Sequence, residues 1–143
     1  MRTFDVQSVE INAPLEVAFR YIADPRTLPE WTHAFASVDG TRAVMRTPAG
    51  AAEVELTVDA SSPSGTIDWT MTFSNGVTAR AWSRVVPHGP GRVIYSFVLE
   101  APPVPLEQLE GTLAHQSTEL AGELATLTRL LEQRAADLAA VAR

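Results

Sequence analysis

Two side chains in this sequence could take part in proton transfer, His33 and Tyr95. His33 follows Trp31 where a predicted helix gives way to a strand, and an imidazole titrates near neutrality, so it could act as a general base or a polar anchor. A surface histidine on a connecting segment is the commoner alternative. Tyr95 has the inward parity of its strand, and a buried hydroxyl needs a partner, which could be Ser83, the backbone, water or a ligand oxygen.

The remaining chemical groups exclude several classes of enzyme. His88 lies in a Pro/Gly turn and is expected in solvent, whereas His115 lies near the start of a long helix and its facing stays open. The three histidines lack metal-ligand spacing, so we expect neither a metal nor another cofactor. There is no cysteine, and all 11 basic residues are arginine, which excludes thiol and lysine chemistry. No G-x-S-x-G motif or Gly-rich phosphate loop occurs.

Length and composition indicate a globular protein. The 143 residues are 45% hydrophobic, and we expect one domain over residues 1–143. The net charge is −6 without a basic stripe, which makes nucleic acid an unsuitable partner. No apolar run approaches the ~20 residues of a membrane span, and the N-terminal residues lack a signal peptide's apolar region, so we expect a cytoplasmic protein.

Hydrophobic periodicity predicts the elements that position these residues. A strand over 3–11 leads through Pro14 into a short helix, and a second helical turn follows. Alternating apolar and polar residues then predict antiparallel strands with one wet face, near 37–46, 53–60, 66–73, 77–86 and 92–100. Beyond residue 105, leucines at three-, four- and seven-residue spacings predict one long amphipathic helix. The sequence therefore predicts an α+β fold in which this helix covers the apolar face of the sheet.

The strand over 77–86 can be read in either parity. Pointing Arg80 and Arg84 outward places them beside the carboxylates of neighbouring strands, whereas the other parity buries two guanidinium groups. We therefore place both arginines outward, with Trp82 on the same face. The expected salt-bridge partners are Glu53, Glu55 and Asp68. The inward positions are then Ala79, Ala81, Ser83 and Val85. These small side chains leave room for a ligand, unless aromatic side chains fill the space.

Several features follow a known pattern along nearly the whole chain. Ile11-Asn12-Ala13-Pro14 leads into the first helix, Leu28-x-x-Trp31 follows, and prolines after the last strand precede the leucine-rich helix. In these features the chain resembles the START/Bet v 1-like (SRPBCC) superfamily, and within it the polyketide cyclase/dehydrase and lipid-transport type. The resemblance implies the helix-grip fold, with a curved antiparallel sheet of six or seven strands wrapped around a long C-terminal helix and two short helices after the first strand.

The resemblance also implies a hydrophobic cavity between sheet and helix. The residues expected to contact a ligand there are Trp69, Met71, Phe73, Ala81, Ser83, Tyr95, Phe97, Leu120 and Leu124. Four glutamates are assigned to the wet face of the helix: Glu107, Glu110, Glu119 and Glu123. Because no charged group is then assigned to the interior, the buried part of a ligand should be neutral, with any charged end near His33.

The interpretation that follows is binding of a hydrophobic small molecule, such as a lipid, an aromatic or a polyketide-like compound. Two alternatives stay open. One is an enzyme of the polyketide cyclase/dehydrase type, in which His33 or Tyr95 moves protons. The other is a protein-interaction module without a ligand. The protein is expected to be a monomer or a homodimer.

Overall fold

The computed structural model describes residues 3–47, 50–101 and 106–142. Strand β1 (Phe4–Ile11) is followed by helix α1 (Leu15–Ala23), a 3₁₀ turn (Pro25–Thr27) and helix α2 (Leu28–Trp31). The next elements are β2 (Phe35–Asp39), β3 (Arg42–Thr47), β4 (Gly50–Ser61), β5 (Thr66–Phe73), β6 (Thr78–Pro87) and β7 (Val93–Glu100). Helix α3 (Leu106–Val141) comes last. No helix among the described residues is both long enough and apolar enough to cross a membrane.

The strands of the described residues form one curved antiparallel sheet of seven, in the order β1-β7-β6-β5-β4-β3-β2. Strands β2 to β7 form a meander. Strand β1 joins the far edge by pairing with β7, from Phe4 opposite Glu100 to Ile11 opposite Val93. Together with the long C-terminal helix and the short helices after β1, this sheet confirms the predicted α+β helix-grip fold.

The single strand predicted near 37–46 is wrong, because the chain turns back within it. Strands β2 and β3 form a tight hairpin in which Asp39 pairs with Arg42 across Gly40 and Thr41. Gly40 has a φ of 62°, a left-handed conformation that glycine adopts without the penalty of a Cβ. The sequence carried a signal for this turn that the prediction did not use, because Asp39-Gly40 is a hairpin dipeptide and no apolar residue occurs from Asp39 to Arg42.

The short helices before the sheet are fixed by local sequence. Pro14 stands immediately before α1, where its missing N–H loses no helical hydrogen bond. Glu16 in the first turn and Arg20 in the last turn complement the helix dipole. Asp24 then caps the 3₁₀ turn, since its Oδ1 accepts the main-chain N–H of Arg26 at 3.0 Å. This turn delivers the chain into α2.

Strand alternation places the predicted aromatic side chains in the core with α3. Trp69 and Met71 of β5 and Tyr95 and Phe97 of β7 are buried in one hydrophobic cluster. The buried leucines on α3 are Leu113, Leu120, Leu124, Leu127 and Leu131. The matching periods of strand and helix therefore bring together the faces that the sequence predicts.

Strand β6 has the predicted parity. Arg80, Trp82 and Arg84 are exposed, and they alternate with Ala81 and Ser83, which are buried. The guanidinium groups consequently stay in water, and the inward face of β6 is lined by small side chains.

The salt bridges predicted for these arginines are wrong. Within the part of the chain that the structure describes, neither Arg80 nor Arg84 forms a salt bridge. The register explains why, because each arginine lies opposite a threonine of β5, and Asp68 between them lies opposite Trp82. The Arg84 Nε donates instead to the main-chain oxygen of Ser64 at 3.1 Å.

Candidate functional site

A cavity of about 590 Å³ lies between the sheet and the first half of α3. Its floor is formed by apolar side chains of β5, β6 and β7: Trp69, Met71, Ala81, Phe97 and Leu99. Leu28 and Trp31 of α2 contribute one wall, and Leu120 contributes another from α3. Ala81 lies directly opposite Trp69 in the register, so a small side chain faces a large one at the centre of the floor. This pairing leaves the space that a larger residue on β6 would fill.

The mouth of the cavity lies between the segment after α2, strand β3 and α3. His33, Arg46 and His115 all line the cavity and are exposed, so they mark the place where it reaches the surface. Gln116 and Glu119 of α3 extend this polar part of the lining inward. The cavity is therefore apolar at its floor and polar at its mouth.

The predicted ligand contacts divide into two groups. Those that line the cavity are Trp69, Met71, Ala81, Phe97 and Leu120. Those that lie outside its lining are Phe73, Ser83, Tyr95 and Leu124. Ser83, Tyr95 and Leu124 of the second group are buried, and Phe73 is partly buried against the hydrophobic core cluster. Strand parity fixes the face of a residue, but not its position along the interface between sheet and helix.

Tyr95, one of the two candidates for proton transfer, belongs to the packed core. It is fully buried, and its ring meets Phe97 edge-on with the centroids 6.3 Å apart. Burial raises the pKa of the Tyr95 hydroxyl, and the nearby Ser83 hydroxyl offsets only part of that effect. The Ser83 Oγ donates its own proton to the main-chain oxygen of Ile67 at 2.6 Å. Among the described residues, the Tyr95 Oη has no partner in hydrogen-bonding geometry.

His33, the other candidate, stands at the mouth with an exposed side chain. Its main-chain N–H donates to the Glu123 Oε2 at 2.5 Å, and its main-chain oxygen accepts from the Arg46 Nη1 at 2.8 Å. The backbone of His33 is therefore held from both sides, while the imidazole is left in solvent at the entrance.

The assignment of Glu119 and Glu123 to the wet face of the helix is wrong, because both line the cavity. Glu123 follows Leu120 by three residues, which places it at the edge of the apolar stripe of α3. Burial raises the pKa of the Glu123 carboxyl, and Glu119 adds to this shift, whereas the main-chain N–H groups of His33 and Ala34 lower it. The same spacing rule applied to each glutamate would have placed Glu123 beside the stripe. Glu107 and Glu110 lie outside the residues whose side chains are described.

The two other histidines are placed differently. His115 is exposed at the mouth, and its Nε2 lies 3.3 Å from the Glu119 Oε1, one helical turn away. His88 is exposed in the turn after β6 and does not line the cavity. The described residues include no group of three or more histidine, aspartate or glutamate side chains that could hold a metal ion. Within the described part of the chain, the carboxylate and imidazole groups that line the cavity are those of His33, His115, Glu119 and Glu123.

Sequence reasoning missed several side chains of the lining that carry polar atoms, among them Gln116 and Trp31. Gln116 lies one turn before Leu120 on the same face of α3, and packing of the short helices was favoured for Trp31 over a ligand contact. In the described residues the Gln116 Oε1 and the Trp31 Nε1 are buried without a hydrogen-bond partner, as is the Trp69 Nε1. The spacing from Leu120 was the available signal for Gln116, whereas the Leu28-x-x-Trp31 step marked Trp31 as part of the fold and not as a ligand contact.

A curved antiparallel sheet wrapped around a long C-terminal helix is the helix-grip fold of the START/SRPBCC class. Within that class, the model of the family described as polyketide cyclase / dehydrase and lipid transport matches residues 4–141, and the chain belongs to this family. None of the curated proteins compared with the sequence matches it significantly.

Solved structures show the same fold at low identity. A START superfamily protein from Mycobacterium smegmatis is 16% identical, with a TM-score of 0.62 over 96% of this chain and 99% of that one. The Zhui aromatase/cyclase from Streptomyces is 8% identical, with a TM-score of 0.62 over 92% of each chain. The di-domain ARO/CYC protein BexL is 16% identical, with a TM-score of 0.70 over 90% of this chain and 46% of BexL. At these identities the likeness shows the fold alone.

Proposed function

We propose that this protein binds a hydrophobic small molecule in the cavity between the sheet and α3. The observation that carries the proposal is the cavity itself, about 590 Å³ with an apolar floor and a polar mouth. That volume lies within the ~300–1,000 Å³ typical of small-molecule sites. A lipid, an aromatic or a polyketide-like compound fits this chemistry, and the family's description includes both lipid transport and polyketide chemistry.

The distribution of charge indicates how such a ligand is oriented. Trp69, Met71 and Phe97 on the floor offer no charged group, and an ionised group buried against them would lack a partner at a cost of several kcal/mol. Charged side chains lie instead at the mouth, where Arg46 and Glu119 line the cavity. The buried part of the ligand is therefore neutral, and its polar end lies at the mouth.

Binding of N-phenyl-1-naphthylamine, a neutral apolar dye that fluoresces when it leaves water, tests the proposal. The wild-type protein should bind one dye molecule per chain. Ala81→Leu places extra volume at the centre of the floor and should weaken dye binding by at least about tenfold, because overpacking a filled site costs ~1–3 kcal/mol. Ala125→Leu makes the same chemical change on an exposed position of α3 and should leave binding unchanged.

Absence of dye binding by the folded wild-type protein would contradict the proposal. The interaction-module interpretation would then replace it. Equal binding by the Ala81 and Ala125 variants would show that the dye binds elsewhere on the protein.

A second candidate function is catalysis of the cyclase/dehydrase type at the mouth. It is favoured by the convergence there of His33, His115, Glu119 and Glu123, and by burial that raises the pKa of the Glu123 carboxyl. General acid–base catalysis is favoured when the pKa of the catalytic group lies close to the working pH, and the direction of this shift brings the Glu123 carboxyl closer to neutrality. Turnover of a polyketide-like substrate that is lost in Glu119→Gln, with dye binding retained, would support this function over binding alone.

A further inference from the structure

A carboxylate on α3 holds the segment that forms one side of the cavity mouth. The Glu123 Oε2 accepts the main-chain N–H of His33 at 2.5 Å and that of Ala34 at 3.4 Å. On the other side, the Arg46 Nη1 donates to the main-chain oxygens of His33 at 2.8 Å and of Phe35 at 3.4 Å. The segment 33–35, named here the rim, is thus tied to α3 by its N–H groups and to β3 by its carbonyl groups.

The rim lies where a ligand must pass. All three rim residues line the cavity, and His33 is exposed at its mouth, across from His115 on α3. Movement of the rim away from α3 widens this mouth. That movement separates Glu123 from both N–H groups, whereas the Arg46 contacts lie between the rim and its own sheet and can be kept.

We propose that Glu123 is the latch of the cavity, and that its hydrogen bonds to the rim set the rate at which ligand enters and leaves. The inference rests on the proposed function, because only ligand exchange reports on a latch. Glu123 is a positioning residue, since it acts through the backbone of His33 and Ala34. It therefore governs the two rate constants more than their ratio.

Helix α3 carries a second carboxylate that serves as a matched control. The Glu132 Oε2 accepts the main-chain N–H of Asn12 at 2.9 Å, so it also ties α3 to a connecting segment. Glu132 does not line the cavity. Loss of this bond should affect packing between α3 and the end of β1 without opening the mouth.

Stopped-flow fluorescence with N-phenyl-1-naphthylamine tests the latch in the full chain. Glu123→Met and Glu123→Gln remove the charge equally and have similar volume, but only the glutamine keeps an acceptor oxygen. The methionine variant should show association and dissociation rate constants both about tenfold higher than the glutamine variant, the factor for one or two ordinary hydrogen bonds. The dissociation constant should change by less than about twofold. Glu132→Met and Glu132→Gln should exchange the dye at the same rates.

Amide hydrogen exchange of the wild-type protein provides a second measurement that needs no variant. The His33 N–H belongs to an exposed residue, yet it should be protected because Glu123 accepts it. Exchange at the rate of a free amide would overturn the latch even if a variant failed to fold.

The outcomes separate the latch from the binding function on which it rests. Dye binding with equal rate constants in the methionine and glutamine variants of Glu123 overturns the latch and leaves the proposed function standing. A change in the dissociation constant through one rate constant alone also overturns it, because that result indicates a direct contact with the dye. Absence of dye binding by the wild-type protein overturns the proposed function and the latch together.

Discussion

Glu123 shows how position within an element changes the chemistry of a residue. It is half-buried, and its carboxylate accepts the main-chain N–H groups of His33 and Ala34, which are neutral donors. The net effect of burial and of Glu119 raises the pKa of the Glu123 carboxyl above its ordinary value, despite those N–H groups. Removal of the carboxylate from water therefore outweighs the hydrogen bonds that it accepts.

The pH dependence of stability follows from this shift. Between the ordinary pKa of about 4.5 and the raised pKa of Glu123, the folded protein binds more protons than the unfolded chain. The contribution of Glu123 to the free energy of unfolding is therefore full below pH 4.5 and is lost as the pH rises through the raised value. Glu123→Gln cannot ionise, so its stability relative to the wild type should increase as the pH rises from 4.5 to 7. Urea unfolding of both proteins across that range measures the difference, and a constant difference would contradict the shift.

Single residues could be predicted from the sequence as far as strand parity reaches. Alternation alone placed Trp69 and Phe97 inward, whereas the cost of burying a guanidinium group placed Arg80 outward, and the structure has all three as predicted. Alternation could not separate the packed Tyr95 from the cavity-lining Phe97, two residues apart on the same face of β7. That distinction depends on the distance between α3 and each part of the sheet. The sequence of β7 alone does not determine this distance.

Two glycines in the turns between strands have positive φ angles but different surroundings. Gly65, between β4 and β5, has a φ of 74°, and its main-chain oxygen accepts the Val85 N–H at 2.8 Å. A Cβ at Gly65 would lie 2.2 Å from the Val85 main-chain oxygen. By contrast, Gly76 in the hairpin between β5 and β6 has a φ of 85° and open space within 4 Å. The two glycines share a backbone conformation and differ in their surroundings.

This difference predicts unequal costs for the same substitution. Gly76→Ala should lower the free energy of unfolding by about 1–2 kcal/mol, the strain of a left-handed alanine. Gly65→Ala adds a clash with the backbone of β6, which is not a flexible group, and should cost more than about 3 kcal/mol. Urea unfolding measures both variants, and equal costs would show that the backbone near Val85 yields without penalty.

The elements themselves were easier to predict than their ends. The long run of leucines at helical spacings predicted α3. Asn75-Gly76 correctly predicted the hairpin between β5 and β6. The hairpin at Gly40 was missed because the prediction followed hydrophobic periodicity and did not use the Asp39-Gly40 dipeptide as a turn signal. Periodicity averages over several residues, so it loses a feature of that length.

The molecule as a whole divides α3 into two parts with different surroundings. Leu120 lines the cavity, whereas Leu127 and Leu131, one and two turns beyond Leu124, are fully buried away from it. The same helix therefore covers a chamber with its first half and a close-packed core further along. The chamber can exist because the far part of the interface holds sheet and helix together.

The two parts of α3 should respond differently to one substitution. Leu127→Ala removes a side chain from close packing and should cost about 2–5 kcal/mol in unfolding free energy. Leu120→Ala enlarges a space that already exists, so it should cost clearly less. Thermal or urea unfolding measures the loss of unfolding free energy in both variants. A larger loss for Leu120→Ala than for Leu127→Ala would mean that protein side chains pack closely around Leu120 and leave no chamber there.

The pairing of β1 with β7 also determines when the sheet can close during synthesis of the chain. Strand β1 leaves the ribosome first, but Phe4 finds its neighbour only when Glu100 has emerged. Contacts this distant along the chain form slowly, and an unpaired strand edge invites association with other chains meanwhile. The leucines of α3 emerge later still. Each new molecule therefore passes through a stage in which the sheet is unclosed, the chamber is absent and the apolar face of the sheet is uncovered.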